Sequence, residues 1–172
     1  MIRERALEIR LLALDVDGVL TDGRVTYTSA GEELKSFNIK DGVGIKLIQA
    51  AGVEVVIITG RVSPMVERRA KELGIDTIVQ GREDKLDALA ELCDRRSIEL
   101  SACAYMGDDL PDLTAIRAAG LGMSTADATD TVRNAADWCA SKPGGQGAVR
   151  EACDALLKAR EEREKLETKL YG

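Results

Sequence analysis

Two acidic residues, Asp15 and Asp17, follow the apolar run at residues 11–14 and stand just before Gly18. Carboxylates at the end of a hydrophobic strand are costly unless something there compensates their charge. Such a pair could bind a cation, attack an electrophile or exchange a proton. We therefore searched the rest of the chain for groups that would join these acids.

Three further polar segments follow apolar runs farther along the chain: Thr59-Gly60-Arg61, then Lys85, and then GDDLPD, which contains Asp108, Asp109 and Asp112. Ligands of an open α/β sheet bind beyond the carboxyl ends of its strands, so we expect these side chains to meet in one crevice. Carboxylates gathered there would repel one another, and a hard divalent cation such as Mg²⁺ is the natural compensation. Because the chain contains no histidine, any general acid or base must be a carboxylate, Lys, Tyr or Cys.

Alternating strand and helix patterns would position these groups. Continuous apolar runs such as VEVVIIT are typical of strands that are covered on both faces. Strands are predicted at 11–15, 53–59, 77–80, 102–106, 120–123 and near Trp138. Helices are predicted at 43–51, 63–73, 84–96, 111–119 and 128–135. This alternation predicts an α/β fold, a doubly wound Rossmann-like parallel sheet with helices on both faces.

One segment interrupts the alternation. Residues 24–39 contain two β-compatible stretches, 25–28 and 34–39, which predict a β-hairpin that protrudes from the sheet. The C-terminal residues 146–172 are predicted to form a helix or a charged tail. We expect residues 1–172 to form a single domain.

Composition limits the class of protein. A hydrophobic content of 45% and a net charge of −6 are ordinary for a globular domain and argue against a nucleic-acid partner. Apolar runs are too short for a membrane span and the N-terminus lacks a signal-peptide core, so we expect no membrane partner and a cytoplasmic location. The cysteines match no zinc spacing and are interpreted as buried structural thiols: Cys93, Cys103, Cys139 and Cys153.

The order of the motifs resembles the haloacid dehalogenase superfamily of phosphatases over almost the whole chain: Asp-x-Asp after a strand, then a Thr, a Lys and an acidic GDDxxD. The resemblance implies that Asp15 is the nucleophile, which forms an aspartyl-phosphate, and that Asp17 is the general acid and base. It implies that Thr59 binds a phosphoryl oxygen and that Lys85 neutralises charge and orients Asp15. ATPases of this superfamily tend to carry Thr in place of Asp17, so an acid favours hydrolysis of an alcohol phosphate.

The resemblance also implies a metal site. Asp15, Asp108 and the backbone carbonyl of Asp17 would hold Mg²⁺, while Asp109 and Asp112 would support these ligands from outside. Phosphoryl transfer depends mostly on positioning and charge neutralisation, which this set of residues would supply.

The segments that separate Asp17, Thr59 and Lys85 are too short to hold a cap domain, so the crevice would be open unless a neighbouring subunit covers it. This capless pattern, in DVDGVLTDG, FNIKDGVGIKLI, QGREDKL, YMGDDLPDL and GGQGAVREACD, is similar to the phosphatases of 3-deoxy-D-manno-octulosonate 8-phosphate, a lipopolysaccharide precursor. The resemblance implies a homotetramer in which hairpins meet. It also implies that the segment from Gly144 onward could close over a neighbouring site.

A phosphorylated sugar acid carries a second anion and calls for additional cations. Candidate substrate-binding residues are Gly60, Arg61, Arg69 and Arg150. Relatives that act on nine-carbon, sialic-type 9-phosphates tend to carry Glu in place of Arg61, so Arg61 favours the octulosonate. A surface salt bridge remains the alternative for Arg61 and Arg69, and pairing with a neighbouring acid for Arg150.

Other kinds of site share parts of this pattern. A calcium loop that began at Asp15 would need Gly at the sixth position and Glu at the twelfth, where this chain has Gly18 at the fourth and Thr26 at the twelfth. A phospho-receiver domain carries its Lys after the paired acids, whereas Lys85 precedes them. GDDLPD could be only a helix start before Pro111, and Thr59-Gly60-Arg61 only a turn. A sialic-type 9-phosphate phosphatase and a catalytically idle, tetramer-forming relative stay open.

Overall fold

The computed structural model describes residues 2–172, which contain eight strands: β1 (Leu11–Leu14), β2 (Thr26–Tyr27), β3 (Glu33–Leu34), β4 (Glu54–Ile58), β5 (Thr77–Val79), β6 (Cys103–Gly107), β7 (Leu121–Ser124) and β8 (Trp138–Cys139). Six of them form a parallel sheet in the order β5-β4-β1-β6-β7-β8. The strand β1 thus lies inside the sheet, between β4 and β6. Strands β2 and β3 pair separately as an antiparallel hairpin.

Helices cover both faces of the sheet: α1 (Ile2–Glu8), α2 (Ile39–Ala50), α3 (Pro64–Leu73), α4 (Lys85–Arg96), α5 (Leu113–Ala118), α6 (Asp130–Ala135), α7 (Ala148–Ala159) and α8 (Arg163–Tyr171). Buried residues of α1, α2, α3, α7 and α8 form the core on one face. Buried residues of α4, α5 and α6 form the core on the other. The predicted α/β fold with a parallel sheet and a protruding hairpin is therefore confirmed.

The β1 sequence explains why this strand lies in the middle. Leu12 and Leu14 enter one core, while Leu11 and Ala13 enter the other, and all four are fully buried. Burial of each leucine side chain contributes about 1.5–3 kcal/mol. A strand that is apolar on both faces needs helices on both sides, and it delivers the next residue, Asp15, to the edge of the sheet.

The hairpin is shorter than predicted. Its two strands contain two residues each, and the predicted second strand at 34–39 ends at Leu34. Helix α2 begins instead at Ile39, where the Asn38 side chain accepts a hydrogen bond from the backbone N–H of Lys40 at 2.9 Å. The capping side chain favours a helix over a continued strand at this point.

The C-terminal segment is folded rather than a free tail. Helix α7 packs closely on α2 because Gly44 carries no side chain, and a β-carbon there would lie 3.0 Å from the Cα of Arg150. Asp41 of α2 accepts a hydrogen bond from the backbone N–H of Arg150 at 2.8 Å. Leu166 anchors α8 to the same core. Buried residues of α7 and α8 therefore belong to the same core as those of α2.

Three of the four cysteines are buried as predicted, but Cys139 is exposed. It ends the short strand β8, where its Sγ accepts a hydrogen bond from the Ser124 hydroxyl at 3.1 Å. Within residues 2–172, no helix combines the length and the apolar character that crossing a bilayer requires.

Candidate active site

Asp15 lies directly after β1 at the carboxyl edge of the sheet. Its backbone N–H donates to the carbonyl of Met106 at 3.0 Å, so the pairing with β6 extends to this residue. Its buried Oδ1 accepts a hydrogen bond from Lys85 Nζ at 2.8 Å. Burial and the charge of Asp112 raise the pKa of Asp15 to about 6, although Lys85 opposes the shift. Lys85 therefore fixes the carboxylate in place, but it does not offset the effects of burial and of the Asp112 charge.

Lys85 begins α4, and its ammonium group is buried between acids. Nζ donates to Asp15 Oδ1 at 2.8 Å, to the carbonyl of Ile58 at 3.0 Å and to Asp112 Oδ1 at 3.2 Å. These acceptors use all three N–H bonds of the ammonium group. Burial by itself would lower the pKa of Lys85, but the Asp15 and Asp112 carboxylates outweigh it and the pKa is raised. Lys85 therefore stays charged and immobile beside Asp15.

Asp112 is a buried acid whose oxygens are occupied by the protein. Its Oδ1 accepts from the Tyr105 hydroxyl at 2.7 Å as well as from Lys85. Its Oδ2 accepts from the backbone N–H groups of Asp108 and Asp109 at 3.1 and 3.3 Å. Because each oxygen already accepts two hydrogen bonds, Asp112 is better placed to hold the acidic loop than to ligate an ion.

Oxygens of Asp15, Asp108 and Asp112 lie within 4.8 Å of one another, which is close enough to share one cation. Burial raises the pKa of Asp108 to about 8, and the neighbouring charges of Asp15, Asp112, Asp109 and Asp127 contribute to the shift. Such a shift indicates carboxylates that lack a counter-charge. Hard oxygen ligands around a deficit of positive charge fit Mg²⁺, the cation predicted from the sequence.

Asp17 lies on the turn after β1, beside the clustered acids. Its Oδ1 pairs with Lys35, and its Oδ2 lies 3.9 Å from Arg61 Nε. Among the described residues, the acids that could share an ion do not include the Asp17 side chain. The predicted contribution of Asp17 to the metal site therefore rests on its backbone carbonyl, because its side chain is engaged by Lys35 and faces Arg61.

An open crevice of about 280 Å³ brings the four predicted segments together. Its lining includes all the predicted catalytic and metal residues and most of the other candidates: Asp15, Asp17, Thr59, Gly60, Arg61, Lys85, Asp108, Asp109 and Asp112. Thr59 is buried at the end of β4, where its backbone N–H donates to the carbonyl of Val79 at 2.8 Å. Glu83, Gly23 and Pro111 also line the crevice, although the sequence did not single them out as site residues.

Two glycines allow the site loops to approach closely. Gly18 has a φ of +92°, and a β-carbon there would lie 2.0 Å from Asp108 Oδ2. Gly144 packs against the same turn, since a β-carbon on it would lie 1.9 Å from the carbonyl oxygen of Gly18. Gly145 adds a hydrogen bond from its N–H to the carbonyl of Val19 at 3.0 Å. The loop before α7 thus supports the turn that carries Asp17.

Arg69 and Arg150 lie outside the crevice, so the prediction that they bind substrate is not supported within one chain. The guanidinium of Arg69 lies over the Phe37 ring, 6.0 Å from its centre. Arg150 pairs with Asp154 at 2.9 Å and with Glu167 at 3.3 Å. Arg150 therefore forms the ion pair with a nearby acid that was its alternative interpretation.

Three neighbours of the site were missed by the sequence analysis: Tyr105, Glu33 and Lys35. Tyr105 sits on a buried strand among apolar residues, and only its position before the acidic loop could have drawn attention to it. Glu33 and Lys35 reach the site from the hairpin, where Glu33 Oε1 accepts from Arg61 Nη2 at 2.9 Å. A local sequence pattern cannot predict a contact that depends on how the hairpin folds back.

Comparisons with known proteins agree with this geometry. A family model for haloacid dehalogenase-like hydrolases matches residues 38–120. The chain is 46% identical over 155 residues to the 3-deoxy-D-manno-octulosonate 8-phosphate phosphatase KdsC of Escherichia coli strain K12, and the match spans 90% of this chain and 82% of that protein.

Solved structures are equally similar. The 3-deoxy-D-manno-octulosonate 8-phosphate phosphatase of Moraxella catarrhalis, in complex with magnesium, phosphate and KDO, superposes with a TM-score of 0.96 at 48% identity. That match covers 98% of this chain and 97% of the other. The cobalt-bound deoxy-D-mannose-octulosonate 8-phosphate phosphatase of Haemophilus influenzae superposes with a TM-score of 0.88 at 40% identity over 92% of each chain.

Proposed function

The chain belongs to the 3-deoxy-D-manno-octulosonate 8-phosphate phosphatase family of the haloacid dehalogenase-like hydrolases, and from this premise we propose that it hydrolyses that sugar-acid phosphate. The products are the free sugar acid, a lipopolysaccharide precursor, and inorganic phosphate. One observation carries the proposal: carboxylate oxygens from two distant segments of the chain lie within 4.8 Å of one another, beside the buried Lys85. This arrangement supports phosphoryl transfer more directly than binding alone.

Each residue has a defined task in the proposed reaction. A carboxylate oxygen of Asp15 attacks phosphorus as the P–O bond to the sugar breaks, and Asp17 gives a proton to the departing sugar oxygen. Water then attacks the aspartyl-phosphate and passes a proton to Asp17, while the P–O bond to Asp15 breaks and phosphate leaves. Thr59 binds a phosphoryl oxygen, and Lys85 holds Asp15 in position.

The proposed cation site uses Asp15, Asp108 and the backbone carbonyl of Asp17, with Asp109 and Asp112 behind them. When bound, Mg²⁺ neutralises the negative charge that the phosphoryl oxygens carry in the transition state. Asp112 keeps the acidic loop in shape through its contacts with backbone N–H groups. Gly60 and Arg61 line the same crevice and are the proposed contacts for the rest of the sugar acid.

A phosphate-release screen tests this proposal. The wild type, Asp15→Asn and Asp17→Asn are compared with and without Mg²⁺ on 3-deoxy-D-manno-octulosonate 8-phosphate, a sialic-type nine-carbon 9-phosphate and simple hexose phosphates. We expect the octulosonate ester to be the best substrate, Mg²⁺ to be required and Asp15→Asn to be inactive. Faster turnover of the nine-carbon or hexose esters would overturn the proposed substrate. A wild type that is inert on every ester would favour the alternative that the chain is a catalytically idle relative.

We also propose that residues 1–172 act as one domain and that the chain forms a homotetramer through its hairpins. The hairpin exposes large apolar side chains at Val25, Tyr27 and Leu34, which are 45%, 62% and 53% exposed. A two-stranded hairpin also leaves backbone groups unpaired at its edges. Contact with a second hairpin would cover both features and would shield the open crevice.

Light scattering after size-exclusion chromatography tests the assembly. We expect a tetramer for the wild type and smaller species for Leu34→Asp, while Leu170→Asp on α8 serves as a control at a similarly exposed leucine. A monomeric wild type, or a Leu34→Asp variant that stays tetrameric, would contradict the proposal. The proposed location is the cytoplasm, where thiols such as those of Cys93 and Cys103 stay reduced; recovery in the periplasmic fraction would refute it.

A further inference from the structure

Lys35 is a charged residue whose side chain is almost completely covered, although it belongs to an exposed hairpin. Only 2% of its side chain is exposed, against 43% for that of Arg61. Its ammonium group contacts Asp17 Oδ1 and lies 3.4 Å from Glu33 Oε1. A buried ammonium group is costly unless it is paired, so the contact with Asp17 stabilises this arrangement.

The position of Lys35 relative to the crevice limits what it can do. Asp17 and Arg61 line the crevice, whereas Lys35 is not among the described residues that do. Lys35 therefore reaches the Asp17 carboxylate from outside the space that a substrate would fill. Any effect of Lys35 on the reaction must act through Asp17 rather than through contact with the reacting atoms.

The two oxygens of Asp17 are not equivalent. Lys35 engages Oδ1, while Oδ2 lies 3.9 Å from Arg61 Nε. The terminal torsion of an aspartate is broad and would otherwise let the carboxylate turn easily. The contact with Lys35 opposes this rotation, so Oδ2 is the oxygen left to exchange a proton in the crevice.

Glu33 completes a closed ring of alternating charges. Its Oε1 lies 3.4 Å from Lys35 Nζ and 2.9 Å from Arg61 Nη2, and Arg61 in turn faces Asp17. Each cation thus lies between two carboxylates. Lys35 is held on both sides, and the hairpin provides two of the four members of the ring.

We propose that Lys35 is a positioning residue, which holds the Asp17 carboxylate so that one defined oxygen faces the substrate. The proposal rests on the proposed function of Asp17 in proton transfer. It gives the hairpin a part in the reaction in addition to its proposed contacts with other subunits.

Steady-state kinetics of Lys35→Met and Lys35→Arg test the proposal on the ester that the wild type hydrolyses best. We expect Lys35→Met to lower kcat by about 10- to 100-fold with KM changed less than about twofold, since a general acid or base contributes about 10²–10⁴-fold. Lys35→Arg retains the charge and should recover at least part of kcat. Lys40→Met, a matched loss of charge at an exposed position on α2, should behave as the wild type.

A comparison of two leaving groups distinguishes a defect in proton transfer from a purely structural defect. In a single turnover, 4-nitrophenolate departs without needing a proton, whereas a sugar alkoxide does need one. We therefore expect Lys35→Met to slow the first step on the sugar phosphate at least tenfold more than the first step on 4-nitrophenyl phosphate. Equal slowing of both esters, an unchanged kcat, or a rise in KM that accounts for the loss would overturn the proposal.

A variant that does not fold, or a different preferred substrate, can be distinguished from a failure of the proposal. If Lys35→Met does not fold, as judged by its circular dichroism and elution volume, the leaving-group comparison is made with Lys35→Arg and Lys35→Gln, and equal effects on both esters again overturn the proposal. If the wild type prefers another sugar phosphate, the proposed substrate fails, while the comparison on that ester still decides the role of Lys35.

Discussion

Gly18 lies so close to Asp108 that a β-carbon at residue 18 would come within 2.0 Å of the Asp108 carboxylate. The turn after β1 and the acidic loop after β6 therefore touch beside the acids that are proposed to share a cation. Gly18 also has a φ of +92°, a conformation that favours glycine. The distance between the two loops thus depends on a residue that carries no chemistry of its own.

Gly18→Ala should push the Asp108 side chain out of place. We expect activity to fall at least tenfold and the Mg²⁺ concentration needed for half-maximal activity to rise, as measured by phosphate release during a Mg²⁺ titration. Gly52→Ala is the matched control, because Gly52 has a similar φ of +82° but nothing lies within 4 Å of its added β-carbon. Both variants bear a backbone cost of about 1–2 kcal/mol. Equal losses of activity in the two would refute the steric explanation.

Lys85→Met should leave two buried carboxylates without their shared cation. We expect stability to fall by about 3–5 kcal/mol, the usual cost of removing one partner from a buried ion pair. Activity should fall by about 10²-fold or more, because Asp15 loses the group that orients it. Urea denaturation and phosphate release measure the two effects, and Lys71→Met on the exposed part of α3 is the control. Unchanged stability in Lys85→Met would contradict the prediction.

The pH dependence of stability should reveal the uncompensated acids. Burial raises the pKa of Asp108 to about 8 and the pKa of Asp15 to about 6, so the folded protein holds protons that the unfolded chain releases near pH 4. The stabilisation from these protons is complete below pH 4 and is lost as the pH rises through 6 to 8. In metal-free buffer, wild type should therefore lose stability relative to Asp108→Asn between pH 5 and pH 8.5.

Mg²⁺ should counteract that loss at high pH, because a cation that replaces the protons stabilises the folded state. Thermal denaturation of the wild type and of Asp108→Asn at several pH values, with and without Mg²⁺, measures both effects. Parallel pH profiles for the two proteins in metal-free buffer would show that Asp108 does not titrate in this range.

Tyr105→Phe should remove one hydrogen bond that supports the acidic loop and leave the shape of the loop unchanged. The Tyr105 hydroxyl donates to Asp112 Oδ1 at 2.7 Å, and burial raises the pKa of the phenol well above its usual value. Removing one buried hydrogen bond to a charged group should cost about 1.5–3 kcal/mol and reduce activity several-fold. Tyr171→Phe, at an exposed position on α8, should be neutral in denaturation and phosphate-release assays. A neutral Tyr105→Phe would show that Lys85 alone satisfies that oxygen.

Local patterns predicted most of the sheet because its strands are short apolar runs with clear ends. Helix α7 was predicted only as part of a helix or charged tail over 146–172, and its start explains why: the side chain that accepts from the backbone N–H of Arg150 is Asp41, which lies far away in the chain. No capping side chain stands beside residue 148, because the residue before the helix is Gly147.

Most of the candidate site was likewise predicted from local patterns. Asp15, Thr59, Lys85 and Asp108 each follow an apolar strand or open a helix, so their positions depend on the order of the strands alone. Lys35 and Tyr105 depend on tertiary contacts that have no fixed spacing. The direction in which Arg150 points depends on how α7 packs on α2, which the spacing of residues along the chain does not specify.

The inner position of β1 in the sheet has a consequence for the order in which parts of the protein unfold. Leu12 and Leu14 are paired on both sides and fully buried, so their amide hydrogens should exchange with deuterium only when the whole domain opens. The strand that carries Asp15 would then be among the last parts to lose protection. Loss of the position of Asp15 on heating should therefore coincide with global unfolding and should not precede it.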